Sequence, residues 1–162
     1  MRIVLQRVQH ASVTIDNQVH SSIGQGYLIL LGVCEEDTNE DVDWLVRKVI
    51  GLRVFDDDNH VMNRDIMDVQ GEILVISQFT LFASYKKGNR PSWFRAGSHE
   101  HSIPLYEAFC KKLSDALGKP VGTGGLQFLG QITVNPDVLP LLRGIQSVGR
   151  HRQPPPFWSL FC

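Results

Sequence analysis

The apolar positions of this chain change period along its length, and those changes predict its elements. Arg2 to Val8 alternates, with Ile3 and Leu5 on one face and Val4, Gln6 and Val8 on the other, which is the period of a strand. His10 to Ile15 reads as a second strand, Asp16-Asn17 as a turn and Val19 to Ile23 as a third strand. After Gly24-Gln25-Gly26, the continuous apolar run Tyr27 to Val33 predicts a central strand. The period then lengthens. Val42, Leu45, Val46, Val49 and Ile50 fall at helical spacing behind Thr38, with Asp41 placed to complete a capping box. A helix is expected from about Asn39 to Ile50, stopping near Gly51.

The second half is punctuated more heavily. Leu52 to Phe55 reads as a short strand, and Met62 to Met67 as irregular chain or a short turn of helix. Asp56-Asp57-Asp58-Asn59 lacks the spaced glycine and closing glutamate of a calcium loop and reads as a solvated turn. Gly71 to Ile76 is short, apolar and rich in β-branched residues, which predicts a strand buried on both faces. That strand is expected to continue through Ser77-Gln78-Phe79-Thr80-Leu81 to Ala83. Tyr85 to His101 is the longest loop candidate. Ser102 is the expected cap of a second helix, with Leu105, Tyr106, Phe109, Cys110, Leu113 and Leu117 on its apolar face and Gly118 at its end. Gly122 to Gly125 reads as a turn and Leu126 to Val134 as a further strand. Beyond it, Pro136, Pro140 and Pro154-Pro155-Pro156 do not suit a closing strand. The expected organisation is a single domain over residues 1–134 and an atypical tail over 135–162. The expected fold is mixed α/β: two β layers or a partly closed barrel, with two amphipathic helices packed on one side.

Composition narrows the function classes. At 162 residues, 43% hydrophobic and 20% charged, the chain fits one globular domain with a real core. A net charge of −1 predicts no nucleic-acid partner in bulk but leaves room for a local basic patch. No apolar run is long enough to span a membrane, and Met1 to Arg7 holds no signal-peptide core, so a cytoplasmic protein is expected. Cys34, Cys110 and Cys162 are odd in number with no CxxC spacing, which argues against a disulfide framework and a zinc site. The six histidines show no paired-ligand spacing, and no metal or cofactor is expected.

Two stretches carry candidate chemistry. Ser77, Gln78 and Thr80 appear abruptly at the end of a buried strand, where rigid backbone can position a site; the plain alternative is a strand edge whose hydroxyls bond nearby backbone. The loop from Tyr85 to His101 interleaves Lys86, Lys87, Arg90 and Arg95 with Tyr85, Trp93 and Phe94. Cations among aromatics suit a nucleic-acid backbone and its bases; the plain alternative is a solvated loop with tucked rings.

In order and spacing, the chain from Met1 to about Gly124 resembles the D-aminoacyl-tRNA deacylases. The resemblance rests on Gln6-Arg7-Val8 with Ala11-Ser12-Val13, Leu30-Leu31-Gly32, Leu52-Arg53-Val54-Phe55, Met62-Asn63 and Ser77-Gln78-Phe79-Thr80-Leu81. Lys87-Gly88-Asn89-Arg90-Pro91-Ser92 and Gly122-Thr123-Gly124 extend it. It implies hydrolysis of the ester between a D-amino acid and the tRNA 3′-terminal adenosine, with mischarged glycyl-tRNA as a further substrate. It also implies a homodimer with active sites at the interface, a role in translation quality control, and no metal or conventional nucleophile. Backbone amides around Ser77 to Leu81 are implied to bind the aminoacyl group, with help from the RNA 2′-hydroxyl. We place the oxyanion donors at Phe79 and Thr80, with Ser77 and Gln78 shaping the pocket. Arg7, Leu81, Lys87, Asn89 and Arg90 are the expected substrate-binding residues.

One departure stands out. The family's Gly-Pro motif near the C-terminus, which reaches into the partner's site and rejects L-amino acids, is absent, since no Gly-Pro dipeptide occurs in the chain. Val134-Asn135-Pro136-Asp137 is the nearest text. Either the end has diverged or the coding frame changes near Gly124, which sequencing across codons 118 to 162 tests. Two other classes stay open: a catalytically impaired family member that only binds tRNA ends or a protein, and an unrelated thiol hydrolase using Cys110.

Overall fold

The computed structural model describes residues 1–86, 88–124, 131–136 and 143–146. The expected mixed α/β fold is present. Its organising strand is β1, Arg2–Ile15, one continuous strand where two were expected. The backbone stays extended through the exposed Gln9 and His10, and the break in period is absorbed as a register irregularity between Val8 and His10. Asp16 and Asn17 then turn the chain at φ 50° and 61°, the left-handed pair that a tight hairpin favours.

β2 (Gln18–Ile23) and β3 (Gly26–Gly32) both run antiparallel to β1. α1 (Asn39–Ile50) follows as expected. Its capping box is complete: the Thr38 hydroxyl accepts from the Glu40 amide at 3.3 Å, and Asp41 Oδ2 accepts from the Thr38 amide at 3.0 Å. The anticipated strand at Leu52 to Phe55 is reduced to β4 (Phe55–Asp56), paired with β5 (Met62–Arg64) in a small separate hairpin. β6 (Glu72–Ser77) returns parallel to β3, a crossover made by α1 and that hairpin.

The strand does not continue through Leu81. After Ser77 the chain winds into a 3-10 turn, Phe79–Phe82. α2 begins at His99, not Ser102, and runs to Leu117. The Ser98 hydroxyl caps it by accepting from the His101 amide at 3.3 Å, and Pro104 is carried inside the helix. Gly118 ends it in the left-handed region at φ 69°. Gly122-Thr123, expected as a turn, is β7 and pairs in parallel with Leu74 and Val75 of β6.

β8 (Gln131–Pro136) and β9 (Arg143–Gln146) both pair antiparallel with β1. β9 corrects the expectation that nothing after Val134 would act as a closing strand. The remainder of the expected strand, residues 126–130, and of the expected tail, 137–142 and 147–162, lies outside the described residues.

The sheet curls until its ends meet. In the order β2-β1-β3-β6-β7, a Cβ added to Gly122 of β7 would lie 2.5 Å from Ser21 Oγ and 3.5 Å from Ile23 Cγ2 of β2. Period-two alternation divides the side chains between two cores. Leu28, Leu74 and Ile76 point into the curled sheet with Val8, Ala11, Val13 and Ile23. Tyr27, Ile29, Leu31, Ile73 and Val75 point the other way, against Val42, Leu45 and Val49 of α1 and Tyr106, Phe109 and Leu113 of α2. β3 and β6 are therefore buried on both faces.

At the end of β3, the Met1 ammonium pairs with Asp37, and Asp37 Oδ2 also accepts from the Cys34 amide at 2.7 Å. Both partners are buried. Asp37→Ala would leave a buried cation and amide without their acceptor. It is expected to destabilise the fold by about 3 kcal/mol, read as a lower urea midpoint.

Candidate active site

The parallel strands β3 and β6 end side by side, with Leu31 paired to Ser77. The carboxyl ends of parallel strands are where crevices open in α/β sheets. Here the chain leaves β6 through Gln78, whose amide donates to the Leu31 carbonyl at 2.7 Å. Gln78 is extended (φ −142°, ψ 81°) and the 3-10 turn starts immediately after it. Gly32 lets that turn sit close: a Cβ there would lie 3.1 Å from the Gln78 carbonyl oxygen and 3.2 Å from Leu81 Cβ.

The turn exposes backbone donors. The first amides of a 3-10 segment have no carbonyl behind them in the helix, and Gln78 caps none with its side chain. Phe79 and Thr80 occupy those positions. The Gln78 side-chain amide instead donates to the Thr80 hydroxyl. The turn is closed from within by Leu81 N–H to Gln78 (3.2 Å) and Ala83 N–H to Thr80 (3.0 Å).

Beside this turn is a cavity of about 300 Å3. Ser77 and Phe79 line it, with Leu31 and Val33 from the end of β3. Trp93 and Gly97 from the long loop and His99, Ser102, Ile103 and Tyr106 from α2 complete it. Phe79 meets Trp93 edge-on, with ring centroids 6.1 Å apart. The loop is held in place by the Ala96–Cys34 bridge and by the Gly97 amide donating to the Val33 carbonyl at 2.9 Å. The α2 end is held by the Ser98 amide donating to Glu35 at 2.8 Å and by the Tyr106 hydroxyl donating to the Val75 carbonyl at 3.0 Å.

The α2 contribution escaped sequence reasoning, which started that helix at Ser102. With Ser98 as cap, His99, Ser102, Ile103 and Tyr106 follow the spacing of one helical face, and that pattern was available. Arg2 also went unnoticed. Its guanidinium donates to the Leu81 carbonyl and lies 4.8 Å from the centre of the Phe82 ring. Burial first, and then the neighbouring Arg95, lower its pKa.

Arg7, expected among the substrate-binding residues, is elsewhere. It pairs with Tyr27 where Arg2 pairs with Gly32, which puts it about 17 Å further along β1. Its guanidinium donates to the Val54 carbonyl at 2.6 Å and lies 3.4 Å from Asp56, beside the β4–β5 hairpin. Leu81 packs behind the turn against Gly32. Asn89 and Arg90 are in the exposed loop, and Lys87 lies outside the described residues.

The Cys110 alternative fails on chemistry. Burial pushes its thiol up to about 11, against the lowering effect of a hydrogen bond with Tyr106. Such a thiol is not a thiolate at neutral pH. Cys110→Ser is expected to leave ester hydrolysis unchanged; loss of turnover in a folded variant would restore the thiol mechanism. Among the described residues no group of three His, Cys, Asp or Glu side chains is placed to hold a metal ion. Nor is any described helix long and apolar enough to cross a membrane.

The family model described as D-Tyr-tRNA(Tyr) deacylase matches residues 4–137. The D-aminoacyl-tRNA deacylase of Bacteroides thetaiotaomicron is 64% identical over 124 residues, covering 76% of this chain and 83% of that protein. The D-aminoacyl-tRNA deacylase of Flavobacterium johnsoniae is 50% identical over the same length. Among solved structures, the c-Myc DNA Unwinding Element Binding Protein superposes with a TM-score of 0.84 at 34% identity, over 92% of this chain and 100% of that one. A probable eukaryotic D-amino acid tRNA deacylase superposes with a TM-score of 0.76 over 89% of this chain and 97% of that one. At 15% identity, that second likeness speaks for the fold alone.

Proposed function

This chain belongs to the D-Tyr-tRNA(Tyr) deacylase family, and from that premise we propose that it hydrolyses the ester joining a D-amino acid to the 3′-terminal adenosine of tRNA. The observation that carries the proposal is the identity of 64% with a D-aminoacyl-tRNA deacylase across most of both chains.

The chemistry asks little of side chains. Water adds to the ester carbonyl, the ribose oxygen leaves with a proton, and free amino acid and tRNA result. The barrier is lowered by donors aimed at the carbonyl oxygen as it becomes negative. Phe79 and Thr80 are our candidates, because the 3-10 turn leaves their amides without helical partners beside a cavity lined by Ser77 and Phe79. Ser77 and Gln78 shape the approach, and the RNA 2′-hydroxyl assists the attack. Glycyl-tRNA is a further substrate in this scheme, and the protein works as a cytoplasmic homodimer. Asn89 and Arg90, on the exposed loop, contact the RNA. Arg7, buried beside the β4–β5 hairpin and bonded to the Val54 carbonyl, braces that hairpin rather than touching the ester.

The test is hydrolysis of D-Tyr-tRNA beside L-Tyr-tRNA by the purified chain. Release of D-tyrosine is expected. A folded protein that cleaves neither ester overturns the proposal. The L-ester reports on chirality: protection of it would mean that something other than a Gly-Pro gate rejects the L-form, and cleavage of both would mean a working site without that gate.

A further inference from the structure

A second, larger cavity of about 640 Å3 meets the end of the 3-10 turn at Phe82 and Ala83. The turn and the loop around Trp93 and Phe94 contribute residues to both. Phe79 and Trp93 face the first cavity, whereas Phe82 and Phe94 face the second. The loop is pinched at its base, where Ser84 and Ser92 exchange backbone bonds of 2.8 and 3.0 Å. Its basic residues are therefore held over the cavity.

The lining is one-sided in charge. Among the described residues Arg2, Lys86, Arg90 and Arg95 contribute, and no acidic residue does. This is a local concentration of four cations in a chain whose net charge is −1. Among the described residues none of the four forms an ion pair with a carboxylate. Arg2 gives one Nη1 bond to the Leu81 carbonyl and lies over the Phe82 ring, which leaves its other donors for a ligand, and its pKa is lowered partly by Arg95. Like charges are thus gathered without a protein anion to offset them. Tyr85 and Phe94 are exposed beside them, 63% and 79% accessible. Phosphates and unstacked bases are the chemistry that matches cations interleaved with free ring faces.

We propose that this cavity binds the sugar–phosphate backbone of the single-stranded 3′ end of tRNA, through Arg2, Lys86, Arg90 and Arg95, while the terminal ester lies in the first cavity. Tyr85 and Phe94 provide stacking faces for the bases. The inference rests on the proposed aminoacyl-tRNA substrate. Arg2 couples the two halves: the guanidinium that lines the phosphate cavity also holds the carbonyl of Leu81 in the catalytic turn.

The test measures binding apart from hydrolysis. Uncharged tRNA and a short single-stranded RNA ending in CCA are titrated into the wild-type protein and Lys86→Glu/Arg95→Glu over a series of salt concentrations. Each lost phosphate contact flattens the slope of log K against log salt by about 0.7 on a single strand. The double variant should bind more weakly, with a slope flatter by about 1.4. Arg90→Gln, a milder change on the exposed loop, should flatten it by about 0.7. The ratio of kcat/KM for D-Tyr-tRNA to that for D-tyrosyl-adenosine, which has no phosphodiester, should fall in both variants. Unchanged affinity and slope in folded variants would overturn the inference even if the wild type hydrolyses D-Tyr-tRNA. A flattened slope would support it even if the wild type hydrolyses nothing, a result that counts against the proposed activity alone.

Discussion

Phe79→Pro should turn over D-Tyr-tRNA about a hundredfold more slowly than Phe79→Ala. The two variants lose the same ring and the same edge contact with Trp93; only the proline loses the amide hydrogen. The backbone tolerates it. Phe79 is the first residue of the 3-10 turn, where the amide has no helical partner and a φ near −65° is suitable. Gln78 before it, at φ −142° and ψ 81°, is outside the helical region that a following proline disfavours. The two variants should therefore melt alike and differ in kcat. Equal turnover would remove Phe79 as an oxyanion donor and leave Thr80 to be tested in the same way.

The largest expected effect on stability is at Gly26. A Cβ there would lie 1.8 Å from the Glu72 carbonyl oxygen and 2.6 Å from its nitrogen. Both are backbone atoms and cannot rotate away. Gly26–Glu72 is the first rung of the parallel β3–β6 pair, and the Glu72 amide next to it donates to the Gln25 carbonyl at 2.9 Å. An alanine must spread the two strands that carry both cores. Gly26→Ala should destabilise by about 3 kcal/mol or more, a large share of the stability of a domain this size. Gly24→Ala is the control: its Cβ would meet only Glu72 Oε2 at 3.5 Å, an ordinary contact, and its effect should stay within about 0.5 kcal/mol. Equal urea midpoints for the two variants would show that the strands adjust freely and would refute the close approach.

What could be seen in advance followed the range of the forces involved. α1 was legible to the residue because Thr38, Asp41 and Gly51 act locally on their own helix. The burial of β6 on both faces was legible because Ile73, Leu74, Val75 and Ile76 leave it no polar side. Ser77 to Leu81 drew notice by its residue types, but its shape was not legible. A strand was expected where a 3-10 turn exists, because that turn depends on close approach to Gly32, forty-seven positions before its first residue, Phe79. The same limit hid the true start of α2. Ser98 and Ser102 are equally good caps by type, and the choice follows from the Ser98 amide reaching Glu35 in another loop.

The sequence by itself determined the two amphipathic helices, the doubly buried strands and the family, through ordered motifs spread over most of the chain. Each of those signals is local or additive, so it survives without knowledge of what packs against what. Only the tertiary structure decided which arginine stands beside the 3-10 turn. Arg2 and Arg7 lie on one strand, and the β1–β3 register aligns Arg2 with Gly32 and Arg7 with Tyr27. It alone divided Phe79 and Trp93 from Phe82 and Phe94, and so made two cavities of one motif and one loop. Register and cavity lining arise from contacts between residues distant in sequence, and no local pattern encodes them.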